Sequence, residues 1–131
     1  MAREQLRMLV NEMAAGVLVP APQEDAKASY WRKRSKADGQ IDWRMPARGI
    51  HNLVRALALP YPGAHAGHQG REFKIWKTRL LDGGIPDVEP GRVLAVRGAE
   101  IDVQCGDGAI VLERHEFELA SMEAVRKGDC L

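Results

Sequence analysis

The sequence has few cysteines and no long hydrophobic run. Its 131 residues include two cysteines, Cys105 and Cys130, without the Cys-x-x-Cys or Cys/His spacing typical of metal and redox sites. We therefore expect both to be reduced thiols in a cytoplasmic protein. Arg3, Glu4 and Arg7 place charges near the amino terminus, so we expect neither a signal peptide nor a membrane span there.

Net charge is nearly absent as well. Nineteen Lys and Arg against eighteen Asp and Glu leave a formal charge of +1. The overall field therefore does not steer the chain toward nucleic acid or an anionic membrane, and any such preference requires a local patch. At this length we expect one main domain with a core of its own.

The sequence also lacks a recognisable catalytic or metal-binding motif. Its four histidines are spread over a predicted helix, a turn and a late strand, without the spacing of a zinc motif, and are His51, His65, His68 and His115. A three-residue spacing on a turn or strand does not bring His65 and His68 to one face, so we expect solvated imidazoles and no metal site. Gly106-Asp107-Gly108 is too short for a phosphate loop and predicts a hairpin turn. We assign no catalytic residue and no metal.

The amino-terminal segment predicts an amphipathic helix over residues 3–15, ended by Gly16. Its apolar stripe consists of Leu6, Leu9, Val10 and Met13. Two prolines then favour an extended path, so residues 1–29 are interpreted as a helix and a Pro-rich linker, and residues 30–131 as the main domain. Because so short a helix is marginal in water, we expect a partner for its stripe, either a second copy or a catalytic domain.

The main domain begins with a second predicted helix, over residues 46–58, and continues with strands. The helix has an apolar stripe at Ile50, Leu53, Val54 and Leu57. After the Tyr61-Pro62-Gly63 turn the period becomes two, with Phe73, Ile75 and the stem of Lys77 on one face.

Glycines separate about five strand segments at hairpin spacing, and Ser121 is a candidate cap for a closing helical turn to about Lys127. The predicted fold class is α+β, mainly β. It is a small OB-like antiparallel barrel with one packed helix, preceded by a short N-terminal helix and an extended linker.

Six residues are candidates for substrate binding. Arg32, Lys33 and Arg34 form the densest basic cluster and suit phosphate oxygens, although a solvated basic loop has the same composition. Asn52 and Arg55 are three apart on the second helix, on a side away from its apolar stripe. Arg55 has an alternative role, a structural ion pair with Asp42 or Glu100.

Tyr61 completes the candidate set, because an aromatic face can stack on a base or a sugar. Trp76 offers a similar face. Core packing is the alternative for both rings.

Short motifs recur in order over residues 20–117. They are Pro22-Gln23, Ala28-Ser29-Tyr30, Gly39-Gln40-Ile41-Asp42-Trp43, Ile50 to Leu57, Pro60 to Ala64, Lys74-Ile75-Trp76, Pro90-Gly91 and Gly106-Asp107-Gly108. Together they resemble the carboxyl-terminal domain of the folate-dependent formyltransferases. The resemblance implies an OB-type barrel joined to a Rossmann-like catalytic domain, which transfers a formyl group from 10-formyltetrahydrofolate to an amine. No position here matches that domain's asparagine, histidine and aspartate, so the chain itself is expected to hold no cofactor.

The run from Arg55 to Gly63 resembles the Arg-Gly-Leu-x-Pro-Trp-Pro-Gly run of the tRNA-modifying members. It has one more residue, and it carries Tyr61 where those members have a tryptophan. It looks more like the members that formylate a nucleotide-linked aminosugar, with methionyl-tRNA as the second choice. The expected function is an accessory domain that orients the amine-bearing substrate and braces a catalytic domain. The alternative is a stand-alone, non-catalytic OB-type module for binding or dimerisation.

Overall fold

The chain divides into two compact units, Met1–Lys33 and Arg34–Leu131. We describe each by itself, from a computed structural model in which residues 1–119 and 124–131 are described. The predicted capping role of Ser121 lies outside these residues. None of the helices within these residues has the length and the apolar character that a membrane span requires.

The smaller unit consists of one helix and a linker. Helix α1 spans Ala2–Ala14, close to the predicted 3–15, and the chain leaves it through Gly16 at φ +70°. A single 3-10 turn, Asp25–Lys27, interrupts the linker. No residue of either element is buried. The unit therefore has no core, because its apolar side chains face solvent.

The larger unit begins with a 3-10 turn, Lys36–Gly39, and helix α2, Ala47–Ala56. α2 follows Pro46 at its N-cap and buries Ile50 and Val54 to 0% and 1% exposure. Leu57 is buried just beyond its end and Leu53 packs against the core, which confirms the predicted apolar stripe. The helix packs mainly on strand β2.

Five strands form one antiparallel sheet in the order β1-β2-β5-β4-β3. They are Ala64–His68, Arg71–Leu81, Val93–Arg97, Glu100–Gln104 and Ala109–His115, numbered in chain order. Ile75, Ile101 and Ile110 are completely buried on the face that α2 helps to cover. This arrangement confirms the α+β, mainly β, barrel-like fold class.

Two short segments extend the sheet at its edge strands. Ile41 N–H donates to the His65 carbonyl on β1 at 2.8 Å. At the other edge the last residues run antiparallel to the start of β3, where Val93 N–H donates to the Asp129 carbonyl and Leu131 N–H to the Gly91 carbonyl. We call residues 128–131 the C-terminal segment. It is joined to β1 by a side-chain contact between His68 Nε2 and Asp129 Oδ2 at 3.1 Å.

The strand alternation departs from prediction in β2. Phe73 and Ile75 are buried as expected, but the next buried side chain is Thr78, while Lys77 is exposed. The register of β2 against β5 shifts between Ile75 and Lys77 and again before Thr78. A bulge of this kind adds one residue to one strand, so the side chains beyond it change faces.

Two histidines also differ from prediction. His65 and His68 are each only 6% exposed instead of solvated. His65 lies beneath the Lys36–Gly39 turn, whose Gly39 is close to its ring, and His68 lies edge-on to Phe117. Contacts made by distant segments bury both rings, which short-range periodicity does not report.

Candidate functional site

The exposed side of α2 carries the predicted pair Asn52 and Arg55. Both are exposed, while Ile50 and Val54 face the core. Arg48 is exposed as well and precedes Asn52 by four residues. Residues at i, i+4 and i+7 lie along one helix face, so Arg48, Asn52 and Arg55 form a row about 10 Å long at 1.5 Å per residue. The sequence analysis missed Arg48, although the same spacing rule identifies it.

This row is positively charged. α2 contains no Asp or Glu. The two carboxylates considered as partners of Arg55 are engaged elsewhere: Asp42 with Arg44 at 2.7 Å, and Glu100 with Arg79 at 3.4 Å. The Arg44 guanidinium and backbone N–H lower the pKa of Asp42 to about 2. Within the described residues, the structural ion pair that we considered for Arg55 is therefore not formed.

Tyr61 follows α2 directly. Its N–H donates to the Ala58 carbonyl at 3.1 Å, and its side chain is 60% exposed, so it is not a core residue. The turn continues to Gly63, which has φ +82° and lies against the Trp76 indole. Trp76 is half-buried, with its Nε1–H donating to Glu116 at 3.2 Å. Of the two aromatic candidates, Tyr61 thus offers the freer stacking face.

The basic cluster lies at the junction of the two units. Arg32 and Lys33 end the smaller unit, Arg34 begins the larger one, and all three are exposed. Asn52 and Arg55 are exposed on α2, and Tyr61 is exposed in the turn that follows it. The structure assigns Arg32 and Lys33 to the other unit.

A cavity of about 340 Å³ lies beside β1. Its walls include His65, His68, Glu72 and Cys130. His65 Nε2 is 3.7 Å from Glu72, and its Nδ1 has no hydrogen-bond partner among the described residues. Burial lowers the pKa of His65, so the ring is neutral near pH 7. The described residues contain no group of three or more His, Cys, Asp or Glu side chains arranged to hold a metal ion.

Nucleophilic chemistry is not supported at the thiol inside the barrel. Cys105 is 1% exposed, and burial raises its pKa to about 12. A thiol in that state does not form the reactive thiolate near neutral pH. The fold and the exposed groups together define a class: a small antiparallel β domain that presents a basic helix face and an aromatic turn.

Residues 33–127 match the family described as formyl transferase, C-terminal domain. The chain therefore belongs to this family, which confirms the resemblance carried by its ordered motifs.

Similar solved structures include HypX from Aquifex aeolicus in complex with tetrahydrofolic acid, at 22% identity and a TM-score of 0.58. Two variants of HypX give TM-scores of 0.57 and 0.60 at the same identity. Each match covers 86% of this chain and 19% of HypX. The likeness shows a shared fold, and the chain spans about a fifth of the length of HypX.

Proposed function

We propose that this chain acts as the accessory C-terminal domain of a 10-formyltetrahydrofolate-dependent formyltransferase. The family match over residues 33–127 carries the proposal. A similar structure, HypX, has been solved with tetrahydrofolic acid, which supports a folate connection for the larger proteins that contain this fold. In this role the chain orients the amine-bearing substrate and braces a catalytic domain that these residues do not contain.

The folate is assigned to that catalytic domain. The cavity beside β1 has polar walls, among them Gln40, Gln69 and Glu72. We assign no folate to this cavity, because the family resemblance implies that the catalytic domain binds 10-formyltetrahydrofolate. The two free cysteines, buried Cys105 and exposed Cys130, suit the reducing cytoplasm that we propose as the compartment.

The proposed substrate-binding residues are Arg32, Lys33, Arg34, Asn52, Arg55 and Tyr61, with Arg48 as an addition. The cations suit phosphate oxygens, and Asn52 and the Tyr61 ring suit a sugar or base edge. We favour a nucleotide-linked aminosugar, with methionyl-tRNA second. A charge of only +1 supports this order, because a tRNA stem requires a surplus of cations on one surface.

The proposed contact with the catalytic domain is the apolar stripe of α1. Leu6, Leu9, Val10 and Met13 are 62%, 45%, 54% and 60% exposed. A 13-residue helix gains most of its stability from packing such a stripe on another surface. The same stripe supports the second candidate function, a stand-alone module that binds a second copy of this chain.

Reconstitution in trans tests the proposal. A folate-dependent formyltransferase catalytic domain is assayed with 10-formyltetrahydrofolate and a nucleotide-linked aminosugar, with increasing amounts of this chain. We expect KM for the aminosugar to fall about tenfold, and Arg55→Ala to lose part of that gain. If KM for the aminosugar is unchanged at saturating concentrations of this chain, the accessory role is refuted. A chain that sediments as a stable dimer and leaves KM unchanged supports the stand-alone module.

A further inference from the structure

The exposed side of α2 carries a fourth polar side chain besides those of Arg48, Asn52 and Arg55. It is the imidazole of His51, which is half-buried. Positions 48, 51, 52 and 55 follow the i, i+3, i+4 and i+7 spacing, so the four side chains lie on one continuous face of the helix. We call these four residues the polar stripe of α2. Regular helical geometry fixes their spacing.

Strand β2 holds the imidazole of His51 in place. The Nδ1 atom of His51 lies 3.0 Å from the hydroxyl oxygen of Thr78, which is 6% exposed. Thr78 reaches this position because the bulge in β2 turns it toward the face that α2 covers. In the part of the chain that the structure describes, Nε2 of His51 is accessible and has no hydrogen-bond partner. The ring is therefore anchored on one side and open to a ligand on the other.

The polar stripe consists mainly of hydrogen-bond donors. When the Thr78 hydroxyl donates to Nδ1 of His51, the ring proton is on Nε2 and faces outward. The amide of Asn52 and the two guanidinium groups add further N–H donors. Neither Arg48 nor Arg55 pairs with a carboxylate of residues 1–119 or 124–131, and α2 has no Asp or Glu. Such a set of donors with unneutralised positive charge suits an anion that has several oxygens.

The length of the polar stripe suits two linked phosphate groups. Arg48 and Arg55 are about 10 Å apart along the helix axis, with the other two donors between them. A guanidinium group binds two oxygens of one phosphate through parallel hydrogen bonds, so each arginine can take one phosphate of a diphosphate. An RNA requires a longer basic surface than these two cations provide.

We infer that the polar stripe of α2 binds the diphosphate group of a nucleotide, with one phosphate on each arginine and the Nε2–H of His51 between them. The inference rests on the proposed function, since it assigns the diphosphate of a nucleotide-linked sugar to α2. It adds His51 as a binding residue and Thr78 as its positioning residue. A helix face is convex and covers little of a ligand, so this chain alone binds a diphosphate weakly, with a Kd on the order of 1 mM.

Nitrogen NMR of the full chain at constant ionic strength tests the inference. Pyrophosphate, inorganic phosphate, UDP and a uridine 12-mer RNA are added separately. We expect pyrophosphate and UDP to shift the Nε2 signal of His51. Arg48→Ala and Arg55→Ala should each weaken pyrophosphate binding about fivefold, the upper end for an exposed ion pair, and phosphate binding at most about twofold, because one phosphate can use the remaining arginine. Arg7→Ala removes an exposed guanidinium from the smaller unit and should change neither.

Variants of the anchor test the role of His51. Thr78→Val removes the hydroxyl, so we expect a mixture of the two imidazole tautomers and weaker pyrophosphate binding. Thr78→Ser keeps the hydroxyl and should keep the Nε2–H tautomer and the affinity. A purely structural Thr78 would change the urea midpoint without changing the tautomer. Circular dichroism checks that each variant keeps its fold.

Any of four results overturns the inference. Pyrophosphate leaves the Nε2 signal of His51 unchanged, or Arg7→Ala weakens binding as much as Arg48→Ala does. UDP binds more than about tenfold more weakly than pyrophosphate, or the 12-mer binds more than about tenfold more tightly than UDP and Arg48→Ala abolishes that binding. If the polar stripe fails these tests while the chain still lowers KM in trans, the diphosphate site is refuted and the accessory role stands. An unchanged KM in trans refutes the accessory role separately.

Discussion

A Cβ atom added to Gly63 would lie 2.7 Å from Cζ3 of Trp76. Gly63 has φ +82°, so it is restricted both by its backbone and by the indole that covers it. The contact fixes the turn that carries Tyr61 against strand β2. The glycine is therefore required for the position of a proposed substrate-binding residue.

Gly63→Ala is expected to lower the free energy of unfolding by about 2–4 kcal/mol, because strain at positive φ and overpacking add. Gly70→Ala is a matched control, since Gly70 has φ +75° but no atom within 4 Å of an added Cβ. It should lose only about 1 kcal/mol. Urea unfolding of both variants measures the difference. Equal losses would show that the indole contact contributes nothing.

Asp129→Ala should destabilise the barrel by about 1–3 kcal/mol, because it leaves the buried His68 without its partner. The carboxylate also accepts the Arg126 N–H at 2.8 Å. Asp82→Ala, an exposed change, is the control. A double-mutant cycle with His68→Ala separates the two contacts. If the cycle gives no coupling, His68 and Asp129 do not stabilise each other.

Stability should fall as the pH is lowered from 7.5 to 5.5. Burial lowers the pKa of His65 and of His115 below the ordinary 6.5, and His115 Nδ1 accepts the Phe117 N–H while its Nε2 lies 2.8 Å from the Ala99 carbonyl. As the pH falls, the unfolded chain therefore binds protons before the folded chain does. The contribution of these two histidines to the free energy of unfolding is fully present above about pH 6.5, and it is lost as the pH falls toward their folded pKa values.

Urea midpoints at several pH values measure this loss. The carboxylates with lowered pKa, Asp42 among them, act only at more acidic pH and do not account for a change in this window. His115→Gln should reduce the pH dependence. A midpoint that is constant from 7.5 to 5.5 contradicts the prediction.

Leu9→Asp should abolish association through α1, whether the partner is a catalytic domain or a second copy, because it places a charge in the apolar stripe. Met8→Asp is the matched control, since Met8 is 62% exposed on the opposite side of the helix. Neither change should alter the urea midpoint of the larger unit. Sedimentation measures association, and equal losses in both variants would show that the stripe has no special role.

The isolated chain should not transfer a formyl group from 10-formyltetrahydrofolate to any amine acceptor. Acyl transfer requires a positioned base and an oxyanion stabiliser, which we do not find among the described residues. Turnover above the uncatalysed rate, lost on replacing one of the chain's own histidines, would contradict this.

Local patterns account for much of the fold. The stripe of α2, the helix α1 and the turn at Gly106 follow from periodicity and glycine placement, and the structure confirms them. The exposed pair Asn52 and Arg55 follows from the same helical spacing. These features depend on residues that are close in sequence.

Other features depend on distant segments. Thr78 replaces Lys77 on the buried face because a bulge forms against β5, and His65 and His68 are buried by the turn before α2 and by Phe117. A single sequence does not show which segments meet. Arg55 likewise makes no ion pair with Asp42 or Glu100 in the part of the chain that the structure describes, because these carboxylates pair with Arg44 and Arg79.

The C-terminal segment has a consequence for synthesis on the ribosome. Val93 N–H donates to the Asp129 carbonyl, so the β3 edge of the sheet stays unpaired at that position until Asp129 has left the exit tunnel. Contacts between residues as far apart in sequence as Val93 and Asp129 form late and slowly. During translation the nascent sheet therefore exposes unpaired edge groups that are open to pairing with another chain, and chaperones have the most to protect in the interval before Asp129 emerges.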